Sequence, residues 1–218
     1  MTDTLPTEVT PVEVADAADF ALATGADESV INDLRQYQSY LEDWNQRMNL
    51  VGPSTLEIFW SRHAWDSAQI LPLAPEALTW ADLGAGAGLP GIVLAILNKH
   101  RPGFHMHLVE SMAKRCRFLT EVVEGLHLPA TVHNSRAEDL SLTVDIVTAR
   151  ACAPMTRLLG YAQPYLKRGA TALFLKGQDV AVELEEATKS WKFEADVLPS
   201  FSDARGRIVR VRTLSRGR

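Results

Sequence analysis

Cysteine is scarce in this chain, which holds only Cys116 and Cys152 among its 218 residues. Two cysteines are too few for a disulfide framework and do not have the spacing of metal ligands, which fits a reducing compartment. The sequence also has no apolar run long enough to cross a bilayer, and its start lacks the basic and then apolar pattern of a signal peptide. We therefore expect a cytoplasmic protein with no metal site and no membrane anchor.

Basic residues are missing from the first 28 positions, which hold seven acidic residues. The net charge of −5 is therefore unevenly spread, because the rest of the chain has 22 basic and 20 acidic residues. The last fourteen residues contain six arginines and no acid. Such a basic end can bind nucleic acid even on an acidic chain, although a solvated strand edge with a frayed tail gives the same pattern.

Three regions can be separated by the periodicity of their apolar residues. Residues 1–27 show no sustained period, and we predict an acidic, disordered leader there. Residues 28–72 are predicted to form a helical extension, since six apolar residues from Val30 to Met48 recur every three or four positions. This first helix is expected to dock on the main domain, residues 73–218. Ser54-Thr-Leu-Glu57 has the spacing of a capping box and predicts a second helix.

The second helix carries three residues with possible chemical roles. Arg62 and Asp66 are four positions apart and can form an ion pair, which at a surface would contribute little. His63 lies beside the apolar stripe, where a packed histidine with a satisfied hydrogen bond is a more common arrangement than a catalytic one.

Residues 80–91 form the most informative stretch, which predicts a short strand, a glycine turn and the start of a helix. Gly84, Gly86 and Gly88 can adopt positive φ and let a ligand lie against backbone N–H groups at the helix N-terminus. Gly86-x-Gly88-x-x-Gly91 also matches the dinucleotide-binding fingerprint. This pattern alone fits more than one nucleotide cofactor.

Two features favour S-adenosylmethionine over NAD as the ligand of this loop. Asp82 precedes the first glycine, where its carboxylate would repel a pyrophosphate but attract the ammonium or sulfonium group of S-adenosylmethionine. The chain after this unit is also too short for the separate substrate domain that most dehydrogenases carry. Glu110, at the end of the next apolar run, is placed to hold the ribose hydroxyls.

The rest of the chain alternates predicted strands and helices, which indicates a parallel sheet covered on both faces. A final pair of strands with a short connection predicts an antiparallel hairpin. The expected fold class is α/β, a Rossmann-like methyltransferase fold with a mostly parallel seven-stranded sheet that ends in this hairpin. The predicted strands are 79–83, 105–110, 130–133, 144–149, 170–176, 192–198 and 207–213, and the helices between or after them are 90–99, 112–126, 154–167 and 179–190.

Polar residues stand at the carboxyl ends of these strands or just after them. Ligands of such sheets bind beyond those ends, near the point where strand order reverses. We therefore expect the following residues to converge around one crevice: Asp82, Glu110, Arg136 to Glu138, Arg150 and Lys176.

Seven short segments occur in this order along the chain: Asn49-Leu50, Arg62-His63-x-x-Asp66-Ser67, Asp82 to Gly91, Glu110-Ser-x-x-Lys114-Arg115, Ser135 to Glu138, Thr148 to Ala151 and Leu175-Lys176-Gly177. Together they resemble the RsmG (GidB) family, which methylates N7 of a guanine in the 530 loop of bacterial 16S ribosomal RNA. The resemblance extends from about residue 30 to residue 213. The glycine loop is common to many methyltransferases, whereas the Arg-His-x-x-Asp-Ser, Ser-Arg-Ala and Ala-Arg-Ala segments are more specific.

The resemblance implies an enzyme that uses S-adenosyl-L-methionine and acts on 16S ribosomal RNA within the 30S subunit, and we expect a monomer. Arg150 and Lys176 are expected at the catalytic centre. The chain departs from the family pattern at Cys152 and in its longer N-terminus. The cofactor-binding residues expected from the loop and from the resemblance are Asp82, Gly84, Gly86, Gly88, Leu89, Glu110, Ala137, Glu138 and Arg150. The residues expected to contact RNA are Arg62, His63, Arg115, Lys176 and Arg207.

Methylation of guanine N7 needs little acid or base chemistry. The N7 lone pair lies in the ring plane and is unprotonated at neutral pH, so catalysis would come mainly from holding the reacting atoms in line. Because the product base carries positive charge, Arg150 and Lys176 would grip a phosphate, guanine O6 or the cofactor carboxylate and not the base ring.

Three alternatives remain open from the sequence. Cys152 follows the strand after which cytosine-C5 methyltransferases place their nucleophile, but no partner motif accompanies it, which favours a small buried thiol. The cofactor motifs do not name the acceptor, so the methyltransferase could act on a small molecule or a protein. A binding module that has kept the fold and lost catalysis is the third alternative.

Overall fold

The computed structural model describes residues 9–217. At its centre is a seven-stranded sheet with the order β3-β2-β1-β4-β5-β7-β6. The first five strands are parallel, and β7 runs antiparallel to both β5 and β6. The strands are β1 Thr79–Leu83, β2 His105–Glu110, β3 Ala130–Asn134, β4 Ile146–Arg150, β5 Thr171–Lys176, β6 Trp191–Pro199 and β7 Arg207–Arg216.

Helices connect the strands and cover both faces of the sheet. Alternate strand residues point to opposite faces, so that Trp80 belongs to one buried cluster and its neighbour Ala81 to the other. The helices are α1 Ala17–Thr24, α2 Glu28–Asn45, α3 Pro53–Leu56, α4 Asp66–Ala68, α5 Gly91–Leu97, α6 Ala113–Gly125, α7 Met155–Leu166 and α8 Val180–Thr188, with a π-helical turn at Trp60–Trp65.

The predicted fold is confirmed. Each predicted strand and each predicted helix of the main domain is present, and the mostly parallel sheet ends in an antiparallel hairpin. The order of strands reverses between β1 and β4, so the carboxyl ends of these two strands flank the crevice of the sheet. No helix within residues 9–217 is long and apolar enough to cross a membrane.

Helix α2 docks on the main domain, as its apolar periodicity predicts. Its Tyr37 is fully buried and donates a hydrogen bond from Oη to the carbonyl of Ala87 in the glycine loop, at 2.6 Å. Asp33 on the same helix forms an ion pair of 2.8 Å with Lys99, just after α5. The extension therefore braces the glycine loop from outside the sheet.

The prediction of a disordered leader over residues 1–27 is wrong for its second half. Residues 17–24 form α1, and Asp16 caps this helix by accepting hydrogen bonds from two backbone N–H groups. Phe20 is fully buried and packs against Trp60 with ring centroids 5.6 Å apart. One aromatic residue and one cap thus order a segment that has no extended periodicity. Residues 1–8 lie outside the described part of the chain.

The second helix of the extension is broken, and its capping box does not form. Gly52 is the N-cap residue of α3 and makes no side-chain cap, while the Thr55 hydroxyl donates to the Gly52 carbonyl at 2.6 Å. The π-helical turn then separates α3 from α4. A π-helical turn is often found at a functional site, since it changes which backbone groups are free to bond elsewhere.

Candidate active site

Two cavities open at the carboxyl ends of the strands and share Ala151 in their walls. The glycine-loop cavity has a volume of about 370 Å³ and includes Gly84, Glu110 and Ala137 in its lining. The arginine cavity has a volume of about 550 Å³ and is lined by residues of the extension, the ends of β4 and β5, and the β6–β7 connection. Ala151 has a φ of 48°, so the chain turns sharply between the two cavities.

The glycines of residues 84–91 serve different purposes. Gly84, Gly86 and Gly88 all have positive φ. A Cβ on Gly84 would overlap the Cys152 thiol, and one on Gly88 would overlap the Ile92 side chain, so these two glycines are required by protein packing. A Cβ on Gly86 would come no nearer than 3.6 Å to another atom. Gly86 is therefore required by its positive φ and not by packing, and its backbone is half-buried.

The Glu110 carboxylate is buried at the floor of the glycine-loop cavity. Its Oε2 accepts a hydrogen bond of 2.9 Å from the Gly86 N–H, and its Oε1 accepts one of 2.8 Å from the Met112 N–H. Arg115 Nη1 is 3.9 Å from the same Oε2. Each oxygen retains capacity for a further donor, such as a hydroxyl group.

Asp82 is fully buried beneath the glycine loop. Its Oδ2 accepts a hydrogen bond of 2.8 Å from the Gly91 N–H at the start of α5, whereas its Oδ1 has no partner within the described residues. Burial raises the pKa of Asp82 to about 7. Because the Asp82 carboxylate is sealed from the cavity, it organises the loop in this structure and does not face a ligand directly.

Arg150 ends β4 and lines the arginine cavity, and its guanidinium group is held by the extension. Nη1 donates to the Arg62 carbonyl and to Asp66 Oδ2, at 2.9 Å each, and Nη2 bonds to Nδ1 of His63 at 2.9 Å. The pairing of Arg62 with Asp66 considered from the sequence does not occur, because Asp66 pairs with Arg150 instead.

The π-helical turn explains how Arg62 can offer its carbonyl group. In a regular α-helix that oxygen would accept the N–H of Asp66. Here the Asp66 N–H bonds to the carbonyls of Ser61 and His63, which leaves the Arg62 oxygen to Arg150. The irregular backbone therefore provides one of the bonds that hold the end of β4.

Asp66 joins three distant segments of the chain. Besides its pair with Arg150, its Oδ1 accepts hydrogen bonds from the Ser202 hydroxyl at 2.6 Å and from Gln69 Nε2 at 3.2 Å. Gln69 in turn accepts the Phe201 N–H at 2.7 Å. The extension, the end of β4 and the β6–β7 connection are thus fastened together on one side of the arginine cavity.

Lys176 is similarly engaged at the end of β5. Its Nζ forms an ion pair of 2.7 Å with Glu183 on α8 and donates to the Ala153 carbonyl at 3.1 Å. Only a tenth of its side chain is exposed. Lys176 and Arg150 both line the arginine cavity, yet their cationic groups are mostly occupied by protein partners.

The remaining predicted residues are distributed over both cavities. Arg62 and Arg207 line the arginine cavity, and Arg62 is exposed. Arg115 lies instead in the glycine-loop cavity, together with Glu138. His63 was expected to contact RNA, but its ring is buried. Leu89, expected to line the cofactor, is 5% exposed and packs in the hydrophobic core.

Cys152 is a partly buried thiol beside the glycine loop. Burial, together with the nearby carboxylates of Asp82 and Glu110, raises the pKa of Cys152 to about 11. The thiol is therefore protonated at neutral pH, which is unsuited to a nucleophile. Among residues 9–217, no group of three or more histidine, cysteine or acidic residues could hold a metal ion.

Two solved structures with a similar fold are described as methyltransferases. The fold is similar to that of the O-methyltransferase TomG from Streptomyces achromogenes in complex with SAM, with a TM-score of 0.58 and 13% identity over 90% of this chain and 94% of that chain. A SAM-dependent methyltransferase from Aquifex aeolicus gives a TM-score of 0.53 and 18% identity over 80% of this chain and 97% of that chain. The fold is thus the one of S-adenosylmethionine-dependent methyltransferases.

Sequence relatives narrow this class to one family. The profile of GidB, rRNA small subunit methyltransferase G, matches residues 30–209. Ribosomal RNA small subunit methyltransferase G of Caulobacter vibrioides is 63% identical over 208 residues, 95% of this chain and 96% of that protein. Its counterpart in Methylorubrum extorquens is 50% identical over 183 residues, 83% and 87% of the two chains. The chain belongs to the GidB family of small-subunit ribosomal RNA methyltransferases, which confirms the resemblance.

Several residues of the site were not identified from the sequence. Tyr37, Thr55, Gln69 and Ser202 each make a hydrogen bond that shapes one of the cavities. Tyr37 is one of the six residues of the apolar stripe on the predicted first helix, and Thr55 lies inside the predicted capping box, but neither pattern identifies these bonds. A polar hydroxyl on such a stripe was the one available signal, since a buried hydroxyl needs a partner.

Proposed function

We propose that this chain transfers a methyl group from S-adenosyl-L-methionine to N7 of a guanine in the 530 loop of 16S ribosomal RNA. The observation that carries the proposal is the pair of cavities that meet at Ala151, in a chain that belongs to the GidB family. One cavity suits a nucleoside cofactor, and the larger one, with arginines at its rim, suits a nucleotide of the acceptor.

The glycine-loop cavity fits S-adenosyl-L-methionine, which supplies a sulfonium-bound methyl group when it is bound. Gly84 lines the cavity without a side chain, Glu110 has lone pairs for ribose hydroxyls, and Ala137 offers an apolar surface for a flat base. Asp82 holds the N-terminus of α5 in place through Gly91. We assign Gly84, Gly86, Glu110, Ala137 and Glu138 to the cofactor.

Neither His63 nor Asp66 in the arginine cavity is free to act as a general base, which agrees with the needs of guanine N7. His63 is buried and bonded at both ring nitrogens, and Asp66 is engaged by Arg150, Ser202 and Gln69. Arg150 and Lys176 act in this proposal by fixing the ends of β4 and β5. They hold the acceptor wall in place, and neither has to move a proton.

Contact with RNA falls to the exposed cations at the rim of the arginine cavity. Arg62, Arg205 and Arg207 all line it, and the first two are exposed. Arg205 lies 3.6 Å from Asp203, and the half-buried Arg207 donates to the Ala204 and Gly206 carbonyls, so Arg62 has the most charge to offer. Arg210 and Arg212 further along β7 are paired with Asp196, at 3.1 and 2.8 Å, and have less charge to offer. We infer an acceptor presented in the 30S subunit, a monomeric enzyme and a cytoplasmic location, where bacterial ribosomes are made.

The test is the transfer of a labelled methyl group from S-adenosyl-L-methionine to 30S subunits from cells that lack this enzyme. The modified nucleotide is then mapped, with naked 16S ribosomal RNA as a parallel substrate. The proposal expects label at N7 of a single guanine in the 530 loop. Cofactor binding with no label in ribosomal RNA would contradict it and would favour a small-molecule or protein acceptor.

A further inference from the structure

His63 is buried, and both nitrogens of its ring are bonded. Nδ1 is 2.9 Å from Nη2 of Arg150, and Nε2 is 2.8 Å from the Thr55 hydroxyl. The Thr55 hydroxyl also bonds to the Gly52 carbonyl at 2.6 Å. A continuous chain of hydrogen bonds therefore runs from the end of β4 to the loop before α3.

The direction of each bond in this chain follows from its donors. A guanidinium group can only donate, so Nδ1 of His63 must accept from Arg150. The ring proton is then on Nε2 and is donated to Thr55, whose own hydrogen goes to the Gly52 carbonyl, which can only accept. Burial and the nearby Arg150 and Arg62 lower the pKa of His63 to about 3, so the ring is neutral at neutral pH.

The loop that receives this chain forms part of the arginine cavity. Leu50, Val51, Gly52 and Thr55 all line it. Asn45 fixes the first half of the loop, since its side chain bonds to the backbone of Leu50 and Val51 at 2.8 to 3.1 Å. Side-chain bonds to the second half come from Thr55.

We propose that His63 is a positioning residue whose ring transmits the placement of Arg150 to Thr55 and Gly52, and so fixes the wall of the cavity that receives the target guanosine. This inference rests on the proposed function. None of the residues from 50 to 55 lines the glycine-loop cavity. Loss of these hydrogen bonds should therefore lower kcat/KM for the RNA substrate and leave the affinity for the cofactor unchanged.

The test replaces Thr55. Its hydroxyl makes the last side-chain bond in this series of hydrogen bonds, and Thr55 is not part of the buried ion pair of Arg150 and Asp66. Thr55→Val keeps the shape and loses the hydroxyl, and Thr55→Ser keeps the hydroxyl. The molecule offers a matched control, since His105 Nε2 and Thr131 Oγ1 form an equivalent bond of 2.8 Å on β2 and β3. Neither His105 nor Thr131 lines either cavity.

Thr55→Val is expected to lower kcat/KM for 30S subunits by about five- to tenfold, the cost of one lost hydrogen bond, with an unchanged dissociation constant for S-adenosyl-L-methionine. Thr55→Ser and Thr131→Val should stay within about twofold of the unsubstituted chain. The proposed role of these hydrogen bonds would be overturned if Thr55→Val turned over 30S subunits as fast as the unsubstituted protein. It would also be overturned if Thr55→Val lost cofactor affinity to the same extent as kcat/KM.

Nitrogen NMR of the protein, labelled in its histidines, tests the same inference without a methyl-transfer assay. The expected spectrum has a His63 ring that is protonated on Nε2 and unprotonated on Nδ1, with the Nε2 signal shifted in Thr55→Val and not in Thr131→Val. A proton on Nδ1 would overturn the inference. If the protein gives the expected spectrum but methylates no ribosomal RNA, the proposed function is contradicted and the hydrogen-bonding role of His63 is not.

Discussion

The glycine-loop cavity and the arginine cavity lie side by side, but the chain builds them in different ways. Six of the thirteen residues that line the glycine-loop cavity lie between Gly84 and Arg115, and Glu110 bonds to Gly86 across 24 positions. The arginine cavity is fastened by Asp66, which bonds to Arg150 and Ser202 across 84 and 136 positions. The bonds to Glu110 in the first cavity come from backbone N–H groups, whereas the bonds that fasten the second cavity join side chains far apart in sequence.

One buried aspartate lies beneath the glycine loop and another lines the arginine cavity, and the two differ in their partners. Asp82 has a single hydrogen bond, from the Gly91 N–H, and its Oδ1 has none within the described residues. Asp66 has a guanidinium partner and two further donors. A charge on Asp82 therefore costs free energy, whereas removal of the Asp66 charge would leave Arg150 uncompensated.

The largest expected effect is on Asp82. Because its pKa is raised from 3.8 to about 7, the folded chain binds a proton more strongly than the unfolded chain, and stability falls as pH rises between these values. Asp82→Asn removes this loss. We expect its free energy of unfolding to exceed that of the unsubstituted chain by up to about 4 kcal/mol at pH 8, and by little at pH 4.

Urea unfolding between pH 4 and pH 8 measures this difference. Asp145 is a control of opposite sign, because hydrogen bonds from the backbone of Thr79 and Leu78 lower its pKa. Asp145→Asn should be less stable than the unsubstituted chain above the ordinary pKa of an aspartate. A pH-independent difference for Asp82→Asn would show that Asp82 carries no raised pKa.

Asp66→Ala should have the next largest effect. The Asp66 and Arg150 side chains are only 11% and 16% exposed, so Arg150 would keep a buried charge without its carboxylate. The expected loss of stability is about 3 kcal/mol, with loss of methyl transfer. The exposed pair of Asp43 and Arg47 is the control, and Asp43→Ala should cost less than about 0.5 kcal/mol. Equal costs for the two substitutions would contradict the role of Asp66.

The glycine loop allows a comparison of two single methyl groups. Gly88→Ala combines a positive φ with overlap on Ile92 and should lower stability by at least about 2 kcal/mol. Gly86→Ala adds a methyl group at ordinary contact distance from its neighbours and should lower stability by about 1 kcal/mol, through backbone strain alone. Its methyl group should instead weaken cofactor binding, by about tenfold or more. Calorimetry of cofactor binding measures this, and an unchanged affinity for Gly86→Ala would place the cofactor elsewhere.

The smallest effect is expected for Cys152→Ala. The thiol has a pKa of about 11 and makes no covalent step in N7 methylation, so turnover should change by less than about twofold. RNA that contains 5-fluorocytosine should form no covalent adduct with the unsubstituted chain, as judged by denaturing electrophoresis. An adduct that disappears in Cys152→Ala would restore the cytosine mechanism.

The sequence predicted the fold and the glycine-loop cavity more fully than the arginine cavity. Strand and helix periods are local signals that predicted the elements of the fold, and Gly84 and Glu110 line the cavity beside the predicted glycine turn. Helix α1 was missed because one buried residue, Phe20, produces no period. The bond of Arg150 to the Arg62 carbonyl was missed because it depends on a π-helical turn, which residue spacing does not reveal.

The most direct test of the two-cavity account is a pair of Michaelis constants, measured for the cofactor and for 30S subunits in two variants. Glu110→Gln changes the glycine-loop cavity, and Arg62→Gln changes the exposed rim of the arginine cavity. The account predicts that Glu110→Gln raises KM for S-adenosyl-L-methionine alone and that Arg62→Gln raises KM for 30S subunits alone. Variants that each raise both constants to the same extent would contradict it.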